Sequence, residues 1–302
     1  MAVSTRVTLG HRIEAAAFDA YLGSFGAMGL ARASRFGAAA ARAIGPLTSA
    51  HTTALRNLRM AYPNETEAWR REVARAMWDE FGRAFGEFPH MHEFRTPERL
   101  RDIEVIGGHR YHEVAQTGGV FIGGHFSNWE IMAIPVLESG IKVHITYRPA
   151  NNPIIDQRII EGRLRYGASL QSAKGKQGGI GLLRALARKE TVFLMNDQKY
   201  NEGVAAPLFG RDCMTADGPT RLALRFGVPL VPFLTRRLSG VRFRVTVYEP
   251  IPVDYQGGEA AVVETVRRIN QFMEARIREA PEQWFWVHRR WPKQAWRDAG
   301  VL

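Results

Sequence analysis

The run Val120-Phe-Ile-Gly-Gly-His-Phe-Ser-Asn-Trp-Glu130 decides the reading of this 302-residue chain. Val120 to Ile122 form an apolar run that reads as a buried strand. Gly123 and Gly124 then free the backbone for a sharp turn, and a helical pattern begins near Asn128, a credible N-cap. His125 is thereby presented at the C-terminal end of a strand, with the Glu130 carboxylate five positions on. Residues five apart lie ~140° apart around an ideal helix. The two side chains can therefore meet only if His125 sits in the turn and Glu130 in the first helical turn. A histidine so placed beside a carboxylate is a candidate general base.

Working outward, the chain alternates short β-rich and helical runs from residue 102 on. Strand-like runs are Ile103 to Ile106, Val120 to Ile122, Ile141 to Tyr147, Thr191 to Met195, Leu230 to Thr235 and Val241 to Tyr248. Helical runs fall at Asn128, Ile154 to Tyr166, Ile180 to Lys189, Thr220 to Phe226 and 258 to 279, and a long glycine- and proline-bearing loop follows Met195. This is the rhythm of an α/β sheet with flanking helices. Arg242 and Arg244 alternate with Val241, Phe243 and Val245, which predicts a half-exposed antiparallel edge and so a mixed sheet. Ligands in open α/β sheets bind beyond the C-terminal strand ends. His125, Tyr147-Arg148-Pro149 and Asn196-Asp197-Gln198 mark three such ends, and together they form the candidate site.

Residues 1 to about 92 read as helical. Ile13 to Ile44 and Ala68 to Phe88 have helical periodicity. The first carries small residues with Arg32, Arg35 and Arg42, the pattern of a helix lying in a lipid headgroup zone. We divide the chain at 1–95, a helical membrane-interfacial region, and 96–302, the catalytic domain.

Net charge is +11, nearly all of it arginine, which implies anionic partners. The single cysteine, Cys213, excludes a disulfide framework and a cysteine-rich zinc site, and reads as a small idle thiol. No segment reaches the ~18 apolar residues of a membrane span; Tyr21 to Ala31 comes nearest and ends at Arg32. Arg6, His11, Arg12 and Glu14 before a run broken by Asp19 do not make a signal peptide. No cluster has metal-ligand spacing, Gly175-Lys176 lacks the upstream glycine of a phosphate loop, and no dinucleotide fingerprint exists, so neither metal nor nucleotide cofactor is expected. His144 reads as a strand residue, and His288 as a residue that steadies the tail or meets phosphate.

Gly-Gly-His-Phe-Ser-Asn-Trp-Glu130 resembles the His-x4-Asp/Glu box of the glycerolipid acyltransferases, and more closely that of the lipid A late (lauroyl/myristoyl) acyltransferase family, where Glu replaces Asp. Tyr147-Arg-Pro-Ala-Asn-Asn-Pro153, Glu161-Gly-Arg-Leu-Arg165, Asn196-Asp-Gln198, Pro207-Leu-Phe-Gly210 and Ala280-Pro-Glu-Gln-Trp-Phe-Trp-Val-His-Arg-Arg290 resemble further family blocks in the expected order. Asn57-Leu-Arg-Met-Ala-Tyr-Pro63 is similar to a segment preceding the catalytic domain and has no assigned chemistry. Thr215-Ala-Asp-Gly218 departs from the Thr-Gly arrangement of the family.

The resemblance implies a glycerolipid acyltransferase-like fold and acyl transfer from an acyl-carrier-protein thioester to a hydroxyl of a phosphorylated lipid A precursor. It implies work at the cytoplasmic face of the inner membrane, peripheral or monotopic, on an anionic lipid surface. His125 is expected as base and Glu130 as holder of its tautomer. Arg163 is expected near the reacting centre or an acceptor phosphate, Asp197 as its partner or an orienter, and Arg148 at phosphate or carrier. No Gly-x-Ser-x-Gly is present, in keeping with direct transfer to the acceptor. Other acceptors (a phosphatidylinositol mannoside, an aminolipid), acyl-CoA as donor, and a thioesterase using water are alternatives within the enzyme class. Outside it stands a basic nucleic-acid-binding protein, against which the absence of helix-turn-helix, zinc and RNA-recognition signatures counts.

Overall fold

The computed structural model describes residues 7–173 and 176–302; Arg6 and Gly175, singled out in the sequence, lie outside the described residues. Four helices lead the chain: α1 (Leu9–Gly26), α2 (Leu30–Ile44), α3 (Ser49–Ala61) and α4 (Glu67–Glu87). A 3-10 run, Phe88–Arg95, and the short α5 (Pro97–Leu100) connect them to the sheet. There follow β1 (Ile103–Ile106), α6 (His109–Thr117), β2 (Gly119–Gly123), a 3-10 turn at Trp129–Met132 running into α7 (Ala133–Glu138), and β3 (Val143–Tyr147). Next are α8 (Pro153–Arg165), β4 (Gln171–Ala173), α9 (Lys176–Ala187) and β5 (Thr191–Met195). The chain closes with β6 (Lys199–Leu208), β7 (Arg211–Thr215), α10 (Gly218–Phe226), β8 (Leu230–Ser239), β9 (Arg242–Val247), α11 (Gly258–Glu279) and α12 (Lys293–Asp298).

Seven strands form one mixed sheet in the order β1-β9-β8-β2-β5-β3-β4, flanked by helices. All its pairings are parallel except β8 with β9. Two apolar layers cover its faces. Val120, Ile122, Val192 and Leu230 face α3, α4 and the tail tryptophans, whereas Phe121, Phe193, Val231 and Phe243 face Met91, Phe94, Ile131 and Tyr166. Strands buried on both faces have no polar positions to alternate, which is why β2 reads as a continuous apolar run. The leading helices thus share the core of the sheet.

Several expectations are corrected. The periodic stretch Ile13 to Ile44 is two helices, broken at Ala27 to Gly29. The loop after Met195 is a hairpin, β6 with β7, whose pairing carries an irregularity between Lys199 and Val204. Pairs such as Ala206 with Cys213 had no alternation strong enough to read as strands. β9 is half-exposed and antiparallel to β8, but β1 pairs outside it and is the true edge. Helix does not start cleanly at Asn128. Its side chain accepts from the Glu130 N–H and opens a 3-10 turn. Nor do Gly123 and Gly124 supply a left-handed turn. That conformation falls on Ser127, at φ 46°. The two glycines matter instead because a Cβ at either would meet a phenylalanine ring, Phe193 at 2.6 Å or Phe126 at 2.7 Å.

Among the described residues, no helix is long and apolar enough to cross a membrane. The helices α2 and α4 pack so closely that a Cβ on Gly82 would stand 2.2 Å from the Gly37 carbonyl oxygen. Backbone cannot yield there as a side chain can, so overpacking should cost about 1–3 kcal/mol. Gly82→Leu is expected to lower the urea midpoint accordingly, while Gly23→Ala on open surface leaves it unchanged or raised; equal midpoints for wild type and Gly82→Leu would contradict the packing.

Candidate active site

β2, β5 and β3 are neighbours running the same way, so their C-terminal ends deliver His125, Asp197-Gln198 and Tyr147-Arg148 to one edge of the sheet. There the expected partners are exchanged. His125 donates from Nδ1 to Asp197 Oδ1 at 2.8 Å and from its backbone N–H to Oδ2 at 2.7 Å. A carboxylate can only accept, so this bond fixes the Nδ1–H tautomer. Trp284 Nε1 donates to the same Oδ2 at 2.9 Å. Burial alone would raise the Asp197 carboxyl. The His125 charge, with the hydrogen bonds from its ring and backbone and from Trp284, outweighs that and holds Asp197 well below the carboxylate range.

Glu130, expected to hold the imidazole, holds Arg163 instead. Arg163 donates from Nη2 to Oε1 at 2.5 Å and from Nε to Oε2 at 3.1 Å, a bidentate pair. Tyr166 OH donates to Oε2 as well. The 3-10 turn explains the exchange, because it carries Glu130 away from Nδ1 and towards α8, which presents Arg163. Burial works against the Glu130 charge. Arg163, Tyr166 and nearby His125 overcome it, and the carboxyl stays below its ordinary value. Arg163 does not pair with Asp197. Its Nη1 is buried without a hydrogen-bond partner, and Arg163 is among the residues lining the cavity. Arg148 is exposed at the rim.

A cavity of about 630 Å³ begins at these groups. His125, Glu130, Arg148 and Arg163 line one end. Met132, Val136, Ile141, Val143, Phe193 and Phe233 line the length beneath, which follows β3 towards Lys142. The Trp129 ring stands edge-on to His125 at 5.1 Å, and the Gln198 amide lies 3.3 Å from both ring nitrogens, across the ring. The geometry offers an imidazole with a buried counter-charge, an anchored guanidinium and an apolar slot.

A family model described as "Bacterial lipid A biosynthesis acyltransferase" matches residues 13–293. The chain belongs to the bacterial lipid A biosynthesis acyltransferases. It is 33% identical to the lipid A biosynthesis lauroyltransferase of Escherichia coli K12 over 78% of this chain and 76% of that protein. Identity is 28% to the lipid A biosynthesis acyltransferase of Haemophilus influenzae, over 78% of this chain and 76% of that one. It is 27% to the E. coli K12 lipid A biosynthesis palmitoleoyltransferase, over 78% and 77%. A solved 1-acyl-sn-glycerophosphate (LPA) acyltransferase of Thermotoga maritima aligns over 78% of this chain and 98% of its own, at 15% identity and a TM-score of 0.36.

In this lipid A acyltransferase, Trp284 and Tyr166 join the site with no role foreseen for either, beside Gln198 of the third strand-end cluster. Trp284 lies within the closing block and Tyr166 directly follows the Gly-Arg-Leu-Arg block, so proximity to those blocks was the available signal. A second buried cluster supports the turn from below. Ser127 Oγ donates to Glu80 Oε2 at 2.8 Å and Asn128 Nδ2 to Glu87 Oε2 at 2.8 Å. Arg237 of β8 bridges both carboxylates, at 2.8 Å and 2.7 Å. No local pattern marks this cluster, whose members come from α4, the turn and β8.

Two outcomes are expected. Asp197→Asn should lower turnover by about 10³–10⁴-fold, as loss of the tautomer-holding carboxylate does elsewhere, and should erase the downfield Nδ1–H proton signal of His125; Glu130→Gln should leave that signal in place. If Glu130→Gln removes it and Asp197→Asn does not, the exchange of partners is wrong. Both carboxyls are depressed on folding, so their stabilisation is present above the unfolded values near pH 4 and is lost as pH falls through the folded values. Urea midpoints should accordingly hold level from about pH 7 to 5 and drop below about 4, less steeply in Asp197→Asn.

Proposed function

We propose that this enzyme moves a fatty acyl chain from an acyl-carrier-protein thioester to a hydroxyl of a phosphorylated lipid A precursor, with His125 as general base. The observation that carries the reading is the apolar cavity opening under His125. Its volume falls within the roughly 300–1,000 Å³ of small-molecule pockets. A hydrocarbon chain laid along β3 would bring its thioester carbon to the imidazole.

The acceptor hydroxyl gives its proton to Nε2 of His125 as its oxygen bonds to the thioester carbon. Asp197 stabilises the imidazolium formed. The negative charge developing on the carbonyl oxygen is stabilised by the guanidinium of Arg163, which Glu130 and Tyr166 hold in place. Collapse breaks the C–S bond, and the leaving sulfur takes the proton back from His125. Ester and thiol are the products, and no covalent acyl-enzyme is needed. Arg148 at the rim suits a phosphate of the acceptor or the carrier's prosthetic group.

The anionic partners suit the +11 charge. Phe36, Ile44 and Leu47 are 53%, 61% and 85% exposed on and just after α2, among Arg32, Arg35 and Arg42. That surface supports peripheral association with an anionic bilayer at the cytoplasmic face of the inner membrane. The lauroyl or myristoyl chain type is the reading nearest the resemblance.

The test is a transfer assay with labelled acyl-carrier-protein thioesters, a tetraacylated lipid A precursor and His125→Ala alongside. A labelled lipid that falls by about 10²–10⁴-fold in His125→Ala supports the reading. Free acid alone would mark a thioesterase, and product formed only from acyl-CoA would replace the donor. Liposome binding should weaken with salt and on omitting anionic lipid; indifference to both would remove the anionic surface as partner.

A further inference from the structure

The closing segment holds the motif turn against it. Phe285 N–H donates to the His125 carbonyl at 3.1 Å and Ser127 N–H to the Gln283 carbonyl at 2.7 Å, so the two stretches pair as a short antiparallel bridge at Phe126 and Trp284. Trp284 of that segment reaches Asp197, and its continuation carries His288 to the cavity mouth. The His288 ring packs edge-on to Phe285 at 5.3 Å and stands 6.1 Å from the His125 ring, between centroids. At that separation the two rings are close neighbours, near enough to act on one thioester bound at the mouth.

The backbone under His288 is clamped from a distant element. Asn57 of α3 is fully buried, and its amide donates to the carbonyls of Trp286 and His288, each at 2.7 Å. These two bonds give Asn57-Leu-Arg-Met-Ala-Tyr-Pro63 the role that sequence left blank. They fix the segment that carries one imidazole into the mouth opposite another.

We propose that His288 is a further catalytic residue, whose neutral imidazole N–H donates to the oxygen of the thioester carbonyl as it becomes an oxyanion, and that Asn57 is the positioning residue that holds it there. The proposal rests on the acyl-transfer reading. Two imidazoles at one mouth invite the question of which is the base, and their surroundings answer it. His125 has the buried Asp197 on Nδ1 to stabilise its cation. Among the described residues, no carboxylate hydrogen-bonds the His288 ring. Desolvation comes first among the influences on it, then His125 and Arg148, and together they hold its imidazole below the ordinary histidine value against the opposing pull of Asp197. A neutral imidazole is a hydrogen-bond donor to developing negative charge, a task separate from that of a base. With the Arg163 guanidinium it would make a two-donor oxyanion site.

The experiment compares His288→Ala, His288→Gln, Asn57→Ala and the double variant Asn57→Ala/His288→Ala with wild type. It uses the transfer assay and, separately, binding of dodecyl trifluoromethyl ketone, whose hydrated carbonyl imitates the tetrahedral carbon. His288→Ala should lower kcat by about 10²–10³-fold with the thioester KM nearly unchanged, and weaken the ketone about tenfold or more. His288→Gln should recover most of both, since its amide supplies an N–H. Asn57→Ala should lower kcat, and the double variant should be no worse than His288→Ala alone, as residues acting through one another require. A His288→Ala enzyme within about threefold of wild-type kcat, or a folded His288→Gln no better than His288→Ala, would overturn the donor role. Additive losses would overturn the positioning role of Asn57. A wild type that makes no lipid product while His288→Ala still weakens the ketone would keep the donor and sink the lipid acceptor; unchanged ketone affinity would sink the donor itself.

Discussion

One buried carboxylate holds the catalytic edge together. Asp197 is 4% exposed and receives three donors, from the backbone and ring of His125 and from the Trp284 indole. An isolated carboxylate at that depth would cost far more than any single contact repays, so it is tolerated only because all three donors converge. The converse also holds. The donors come from two parts of the chain outside β5, so satisfying Asp197 fixes the end of β2 and the closing segment together. Charge-assisted bonds of 2.7 to 2.9 Å make that node stiff. Stiffness of this kind suits the proposed role of His125, whose Nε2 would meet the acceptor at hydrogen-bond distance.

The second buried cluster does different work. Replacing a buried ion pair by apolar side chains is often neutral or stabilising, so Arg237 with Glu80 and Glu87 is poor evidence for stability. Its placement is more telling. Ser127 sits at φ 46°, a conformation costing roughly 1–3 kcal/mol for a residue with a Cβ. Both carboxylates spend an oxygen on the turn, through Ser127 and Asn128. The cluster therefore sustains a strained turn between His125 and Glu130. The leading helices, which sequence assigns to membrane contact, are by this route a structural part of the catalytic edge.

What was legible in the sequence was what is local. The apolar runs at Val120 and Thr191, the polar clusters at three strand ends and the cap at Asn128 are all short-range patterns, and the sheet gathers those clusters on one edge. The pairing of charges was not legible, because it depends on side-chain direction after folding. Five positions separate His125 from Glu130 and seventy-two separate it from Asp197, yet the distant residue takes the imidazole. The 3-10 geometry of Trp129 to Met132 turns Glu130 away, and 3-10 and α-helical turns have the same apolar pattern over four residues. The β6–β7 hairpin escaped for a similar reason: Gly203 and Pro207 read as loop residues, and the irregular register that admits Gly203, between Lys199 and Val204, is visible only in three dimensions.

The distribution of charge completes the picture. Inside, Arg163 is paired with Glu130 and Arg237 with Glu80 and Glu87, while the buried Arg290 gives its guanidinium to neutral acceptors, the Met214 carbonyl, Thr215 and Asn270. These groups add no positive charge to the net +11, which must therefore be carried by side chains elsewhere, and the exposed Arg148 beside the cavity mouth is one of them. Surface cations act over about a Debye length, roughly 10 Å at ordinary salt, and so can gather anionic partners without touching the chemistry. Matched internal pairs are screened much less. Raising salt should then slow encounter more than it slows the acyl transfer step, which separates recruitment by the surface from catalysis at the strand ends.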